Sequence, residues 1–595
     1  MNMLRKHPLL FGTALTIASA VVAWGCKDFL SSAASPQAAL NEATLSNKTG
    51  VEGGLIAAYR ALDCTSAVQN NWGCAASDWS FGSVSSGDAY KGSETGDQPP
   101  IQDIEAYNWS TPDADSYFSE KWRISYEGIS RANATIRLLK TVVASSPNTF
   151  TAAEQKSIEG EATFLRAHYH FELWEMFGNI PYYRETDTDY RKAQEASDAV
   201  IADIIKDLDA AIALLPATPR NGQVGRATSW TAKAFKGRVQ VYAGQYQAAI
   251  ATLNDVKNSG PYALEASFDR VWTGFKEFEN GKETILAFQA SVADGEPNAN
   301  NSNWGERLNF PTNSSHFGCC GFHQPSQALV NHFRVDANGL PMAVTDSNNF
   351  NTFDGNFDAK ASANVSLDPR LDWTVGRDGV PYKDWGPHSG DWIRAPGFSG
   401  PYSPKKNIHE KASGAEATVG WAPAQQNSVN IHIYRFADLL LLLAEAETEA
   451  GSLENARAIV NQIRTRAGQK AQGLGTDRAS IAVALTDPSI TWAKYRVGLY
   501  TAPWTDKNFA RAAVREERNL ELAMEGHRLF DLRSYGSSVF ISTLNNYLAK
   551  EKTRRSYLSA AQAVSARHML YPLPVTQIQL SVVNGQQQLK QNPGW

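Results

Sequence analysis

Apolar residues recur at three- and four-residue spacing through much of this chain, and that period predicts helices. Leu55, Tyr59 and Leu62 form one such face, and Trp122, Tyr126 and Ile129 form a second. The clearest amphipathic segment of the first half runs from Ala152 to Pro181. Gly178 supplies a helix-ending residue there and Pro181 prevents continuation. Residues 194–257 predict three helices, with Thr228 or Ser229 as N-cap of the second. The run LLLLLAEAETEAG after Asp438 is so apolar that it should be buried on most sides. In Arg515–Gly536 the residues Leu520, Ala523, Met524 and His527 make an apolar stripe, and Arg518, Glu521, Glu525 and Arg528 make a charged one. Exposed pairs on such a face contribute only ~0.2–0.5 kcal/mol each. Gly526 inside the pattern costs roughly 1 kcal/mol against alanine, so a close backbone or a bend is expected there. The segment reads as a charged, half-buried scaffold helix.

Between residues 258 and 434 the helical period fades. Asn, Gly, Pro and Trp accumulate, and ETILAFQ at Glu283–Gln289 predicts one short strand. Residues 63–120 read as a further loop region. An internal repeat flanks the insertion: Ala243–Lys257 and Ala450–Arg464 share a helix, glycine turn, helix pattern. It resembles the tetratricopeptide hairpin, in which small residues let two helices pack closely.

The chain has 595 residues, 43% hydrophobic and 20% charged, ample for a packed core. A net charge of -5 does not suggest a nucleic-acid binder. Arg5 and Lys6 head an apolar run from Pro8 to Ala23, too short for a comfortable membrane span. It leads to Gly25-Cys26 and resembles a bacterial lipoprotein signal, in which Cys26 becomes the lipidated first residue. Two or more acyl chains make a stable anchor. Residues 1–25 are then the signal, 26–50 a tether, and 51–595 one folded unit. That unit divides into helical parts at 51–257 and 435–595 around the 258–434 insertion. Outside the cytosol a Cys64–Cys74 disulfide is allowed, with roughly 2–3 kcal/mol of stabilisation for so short a loop. Cys319 and Cys320 are adjacent, so they form a vicinal bridge or two free thiols.

Arg515–Arg533 reads R-x-E-R-x-x-E-L-x-x-E-G-x-R-x-x-D-L-R. This string resembles the C-terminal signature of the RagB/SusD family of outer-membrane nutrient-binding lipoproteins. Further elements resemble that family in order: Trp122–Asn133, the Glu161–Pro181 string, Asp368-Pro369-Arg370-Leu371, Arg435–Ala446, the Pro572 and Pro574 element, and Gln591–Trp595. The resemblance implies a mostly α SusD-like fold of helix hairpins with long loop insertions and a few short strands. It implies a cell-surface protein, lipid-anchored in the outer membrane, that captures an oligosaccharide or peptide. Its implied partner is a SusC-type TonB-dependent barrel transporter, over which the protein closes like a lid.

The chain contains no H-E-x-x-H, no phosphate loop ending G-K-[ST] and no G-x-S-x-G. No catalytic residue, cofactor or metal site is expected. Acid pairs such as Asp372 and Asp378 exist, but sequence does not give their separation. The alternative to a binding protein is a glycan-degrading enzyme on a helical scaffold. Rings that stack on a sugar's C–H face, with polar groups beside them for hydroxyls, should sit on loops. Three clusters fit: Trp72, Asp78, Trp79 and Tyr90; Asn303, Trp304 and Arg307; and Tyr382, Trp385, Asp391, Trp392 and Arg394.

Overall fold

The computed structural model describes residues 45–64, 72–312, 316–355, 365–420, 422–468 and 493–595. Cys26, the signal segment and most of the tether lie outside them. Helices α1 (Lys48–Arg60), α2 (Pro112–Ser145), α3 (Ala152–Phe177), α4 (Ser197–Leu214), α5 (Ser229–Tyr242) and α6 (Tyr246–Ser259) follow in order. Each packs against the next. About 53% of the described residues are helical. Local chemistry sets the boundaries. Thr151 and Glu154 form a capping box on α3, and the Thr228 hydroxyl accepts from the Thr231 N–H at 3.1 Å to start α5. One expectation is corrected: α2 begins at Pro112, inside the segment read as loop, and residues 99–105 form a short helix.

The two copies of the repeat become hairpins α5/α6 and α7 (Phe436–Ala450)/α8 (Leu453–Ala467), and they stack through α6 and α7. A Cβ on Gly237 of α5 would lie 2.2 Å from a Leu253 methyl of α6, so the glycine makes room for that side chain where the pair packs. All residues of α7 from Phe436 to Thr448 are buried. Strands are few and short. Those used below are β1 (Ala89–Gly92), β2 (Thr284–Phe288), β3 (Phe322–Pro325) and β4 (Ile431–Arg435); β1 pairs with β3 and β2 with β4, both antiparallel.

The 515–536 segment is not one helix. Helix α9 (Lys507–Leu522) stops, the chain turns, and α10 (Arg528–Ser534) and α11 (Ser537–Arg554) follow. Met524 and Gly526 take φ of 66° and 81° in the turn. A Cβ on Gly526 would sit 1.7 Å from the Ser77 carbonyl oxygen, so the glycine allows the 77–82 backbone to press against this turn. The apolar stripe and the charged stripe are therefore cut in two.

Nor, apart from Arg528, are the charges half-exposed. Glu521 and Glu525 meet Arg435, at 2.7 and 2.8 Å, and Arg435 also reaches Glu283 at 2.6 Å. Arg370 bridges Asp368, Glu517 and Glu521, and Arg464 meets Glu517 at 2.7 Å. Arg518 pairs with Asp438 and Asp531. Every one of these groups is buried. Burial pushes the Glu521 carboxyl up, but Arg466, Arg435 and Arg370 overcome that and hold it below the ordinary range. The motif pairs between elements, tying the Asp368–Leu371 turn, β4, α8 and α9 into one ionic layer.

Candidate functional site

The loops bearing the three aromatic clusters converge. Strands β1 and β3 join residues 89–92 to 322–325, and the Thr312 N–H donates to the Trp392 carbonyl at 2.9 Å. The Arg394 guanidinium, itself exposed, pairs with Glu94 and with Asp97 at 2.8 Å. Asp63 accepts from the backbone N–H of Ala76 at 2.9 Å and of Gly305 at 3.0 Å, clamping the first cluster to the second. Cys64 and Cys74 are joined by a disulfide, as are Cys319 and Cys320.

Trp72 and Trp304 stack with centroids 6.1 Å apart and planes at 28°. The Arg307 guanidinium lies 4.4 Å from the Trp304 centroid and 5.3 Å from that of Trp72. Burial lowers the Arg307 guanidinium pKa to about 10. Trp385 and Trp392 belong to a small loop core with Phe310, Phe317, Tyr382 and Ile408. Trp385 donates to the His409 carbonyl at 2.8 Å, and His316, half-buried, lies 5.1 Å from Trp385 and 5.7 Å from Trp392. Trp72, Trp304, Trp385 and Trp392 are only 7–9% exposed and Arg307 1%, so the expectation of open rings is corrected for them too: little of any of them reaches solvent. Asp391 is exposed at the margin of that core.

The other ring and carboxylate candidates are corrected. Trp79 is fully buried and donates to the Gly305 carbonyl at 3.0 Å, so it braces one loop against another. Tyr90 is fully buried, donating to Glu551 and accepting from the Gln327 N–H. Tyr382 is equally enclosed, and its hydroxyl donates to the Pro404 carbonyl. Asp78 is also a core group, with the Lys121 ammonium at 2.7 Å; Lys121 also meets Glu172 at 2.6 Å. Burial, with Glu172 nearby, raises Asp78 to about 7 against the pull of Lys121. Loop backbone lacks the repeating bonds of a helix, and large side chains with one polar end satisfy it from inside. His316 was not foreseen, since nothing in the pattern around it marks a ring contact.

One cluster has the outline of a hydrolase triad. Asp378 meets His388 Nδ1 at 2.9 Å, and His388 Nε2 meets Ser403 Oγ at 2.9 Å. A nucleophile has to reach a carbonyl carbon. Ser403 is 1% and His388 2% exposed, beneath Tyr382 and Trp392, so a substrate has no route to Oγ. Asp372, considered above as a partner of Asp378, is bound to Arg377 at 2.6 Å. Among the described residues no group of three or more His, Cys, Asp or Glu side chains is placed to hold a metal ion.

The comparisons with known proteins point one way. A family profile described as "SusD family" matches residues 282–595, and one described as "Starch-binding associating with outer membrane" matches residues 76–241. "SusD-like protein P25" of Formosa agariphila is 21% identical over 493 residues, covering 78% of this chain and 77% of its own. A solved "Laminarin binding SusD-like protein" superposes with a TM-score of 0.62 at 22% identity, over 92% of this chain and 100% of that one. "Surface glycan-binding protein A from Bacteroides thetaiotaomicron in complex with laminarihexaose" superposes with a TM-score of 0.63 at 17% identity, over 92% and 99%. These structures share the fold, and the profile over more than half of the chain shows the family. The buried ionic layer built by Arg435, Glu521 and Glu525 is thus the frame of a chain that belongs to the SusD family.

Proposed function

We propose that this protein binds a glycan at the cell surface and delivers it to a TonB-dependent outer-membrane transporter of the SusC type. On this reading Cys26 carries the lipid anchor and no bond of the ligand is broken. The observation that carries the proposal is the Trp72–Trp304 stack beside Arg307, with Trp72 inside the loop closed by the Cys64–Cys74 disulfide. The small exposed part of the stacked indoles would give a sugar an apolar contact, while Arg307, 1% exposed, braces the rings and does not itself reach a ligand. Trp385, Trp392, Asp391 and Arg394 extend the same loop face. The laminarin and laminarihexaose named for two proteins of this fold support a glucan as the first ligand to try.

The test is retention of purified protein in gels containing laminarin, starch or other polysaccharides, with released reducing ends assayed alongside. Retention by one polysaccharide, weakened about tenfold by Trp304→Ala (~1.4 kcal/mol), is the expected result. New reducing ends would replace the proposal by the enzyme reading, and no retention on any glycan would leave a peptide or no ligand. Accumulation of precursor under a lipoprotein signal-peptidase inhibitor tests the anchor at Cys26. Co-purification with a barrel transporter tests the partnership.

A further inference from the structure

An open ring beside a cleft, which the loop tryptophans do not provide, exists elsewhere in the molecule. Tyr190 is 64% exposed, the most open aromatic ring among the described residues. It lines a pocket of about 380 Å³ between α2, the 181–192 loop after α3 and the C-terminal residues 577–589. That volume falls in the ~300–1,000 Å³ range of small-ligand sites. Three further rings continue inward from it. Tyr190 meets Tyr183 at 6.1 Å, Tyr183 meets Tyr126 edge-on at 5.6 Å, and Tyr126 meets Trp122 at 4.9 Å. Tyr183 and Tyr126 are half-buried and Trp122 is 5% exposed. Leu580, 66% exposed, lines the same pocket.

The walls are fixed and largely apolar. The Tyr126 hydroxyl donates to the Pro181 carbonyl at 2.9 Å and that of Tyr183 to the Tyr190 carbonyl at 2.6 Å. Both phenol groups are thus spent on holding the loop, and the rings are left to meet a ligand by their carbon surface. A ligand entering such a site has little loop to order, which spares binding energy.

Charge around the pocket is already balanced. Arg184 meets Asp203 at 2.5 Å, Glu127 meets Arg131 at 2.8 Å and Lys192 meets Asp187 at 3.2 Å. Arg191 and Arg123 have Asp189 and Glu120 at 3.6 and 3.8 Å. Arg137 donates to the Glu185 carbonyl at 3.2 Å. A charged ligand would have to compete with contacts already made. Two neutral groups are different: the Ser130 hydroxyl and the Gln577 amide line the pocket without a hydrogen-bond partner among the described residues. A wholly apolar ligand would cover them and leave them unpaired, which costs free energy.

We propose that this pocket is a second saccharide site, for a neutral mono- or disaccharide. A pyranose answers both features of the walls. Its C–H face lies against the tyrosine rings, and its hydroxyls pair with Ser130 and Gln577. The site shares no residue with the loop clusters, so it stands whether or not they bind a glycan.

Saturation-transfer NMR titration of the full-length protein with laminaribiose, cellobiose and galactobiose tests it, with digalacturonate as charged control. Measurement in Trp304→Ala separates the pocket from the loop face. At least one neutral disaccharide should bind Trp304→Ala, and adding Tyr190→Ala should weaken that binding about tenfold or more. The Tyr190 change keeps the backbone carbonyl that Tyr183 uses, so the pocket retains its shape. Adding Ser130→Ala or Gln577→Ala should weaken it about threefold. Added salt should leave it unchanged, since no ion pair to the ligand is made. No disaccharide binding in Trp304→Ala, indifference to Tyr190→Ala, or digalacturonate bound as tightly as the neutral sugars overturns the proposal. Disaccharide binding that Tyr190→Ala removes, in a protein that no polysaccharide gel retains, would sink the loop-face reading and leave this one standing.

Discussion

The helical frame and the loop region bury opposite chemistries. Around α9 the enclosed layer is ionic, with Arg370, Arg435, Arg464 and Arg518 set among Asp368, Asp438, Glu517, Glu521 and Glu525. Where the loops meet, the enclosed layer is aromatic, with Trp79, Tyr90, Tyr382 and the loop core around Phe317. The difference follows from the backbone. Helices satisfy their own N–H and C=O groups, so their side chains are free to pair across elements. Loop backbone has to be satisfied from side chains, and Asp63, Trp79 and Trp385 do so.

Breaking the ionic layer should have the largest effect. Glu521→Ala leaves Arg435, Arg466 and Arg370 short of an anion in a dry interior, a loss of about 3–5 kcal/mol. Urea unfolding should show it, and amide exchange should quicken across α7, α8 and α9 together. Faster exchange in α9 alone would show that the layer is not one cooperative unit.

Opening the loop should cost less and stay local. Replacing Cys64 and Cys74 by serine removes a closure spanning 10 residues, worth about 3 kcal/mol in the chain-entropy model. Exchange should rise at 72–90 and, through Asp63, at 302–312, with α7–α9 unchanged. Protection preserved at 302–312 would break the link between Trp72 and Trp304.

A third test concerns pH at the seat of that loop. Burial raises Glu120 on α2 to about 8, against the pull of Arg123. The unfolded chain releases this proton near the ordinary glutamate value of 4.5, while the folded chain keeps it to about 8. The folded state therefore binds the extra proton across that window, and stability falls as pH rises through it, by at most ~1.4 kcal/mol per pH unit. Glu120→Gln should flatten that slope in denaturation curves between pH 5 and pH 8. An unchanged slope would assign the linkage to other buried acids such as Asp78.

Much of the frame was legible from residues alone. The spacing in Ala152–Pro181, the cap at Thr228, the apolar run of α7 and the repeated glycine turns fix local conformation, and local conformation follows from neighbours within a few positions. Gly526 even announced a close backbone. Yet the identity of that backbone, Ser77, lies far away in the chain, and the same holds for the arginines that Glu521 and Glu525 meet. The loops were less legible because they carry no period. A tryptophan in an aperiodic stretch has the same sequence context whether it stacks on another indole or donates to a carbonyl, so Trp72 and Trp79 could not be told apart. The tyrosine pocket was out of reach for the same reason: residues 122–137, 181–192 and 577–589 come together only when α2, the loop after α3 and the C-terminal segment are packed. Periodicity within one element determined what would be helix and which motif the chain carried. Exposure and partnership belong to contacts between distant segments, and packing alone decided them.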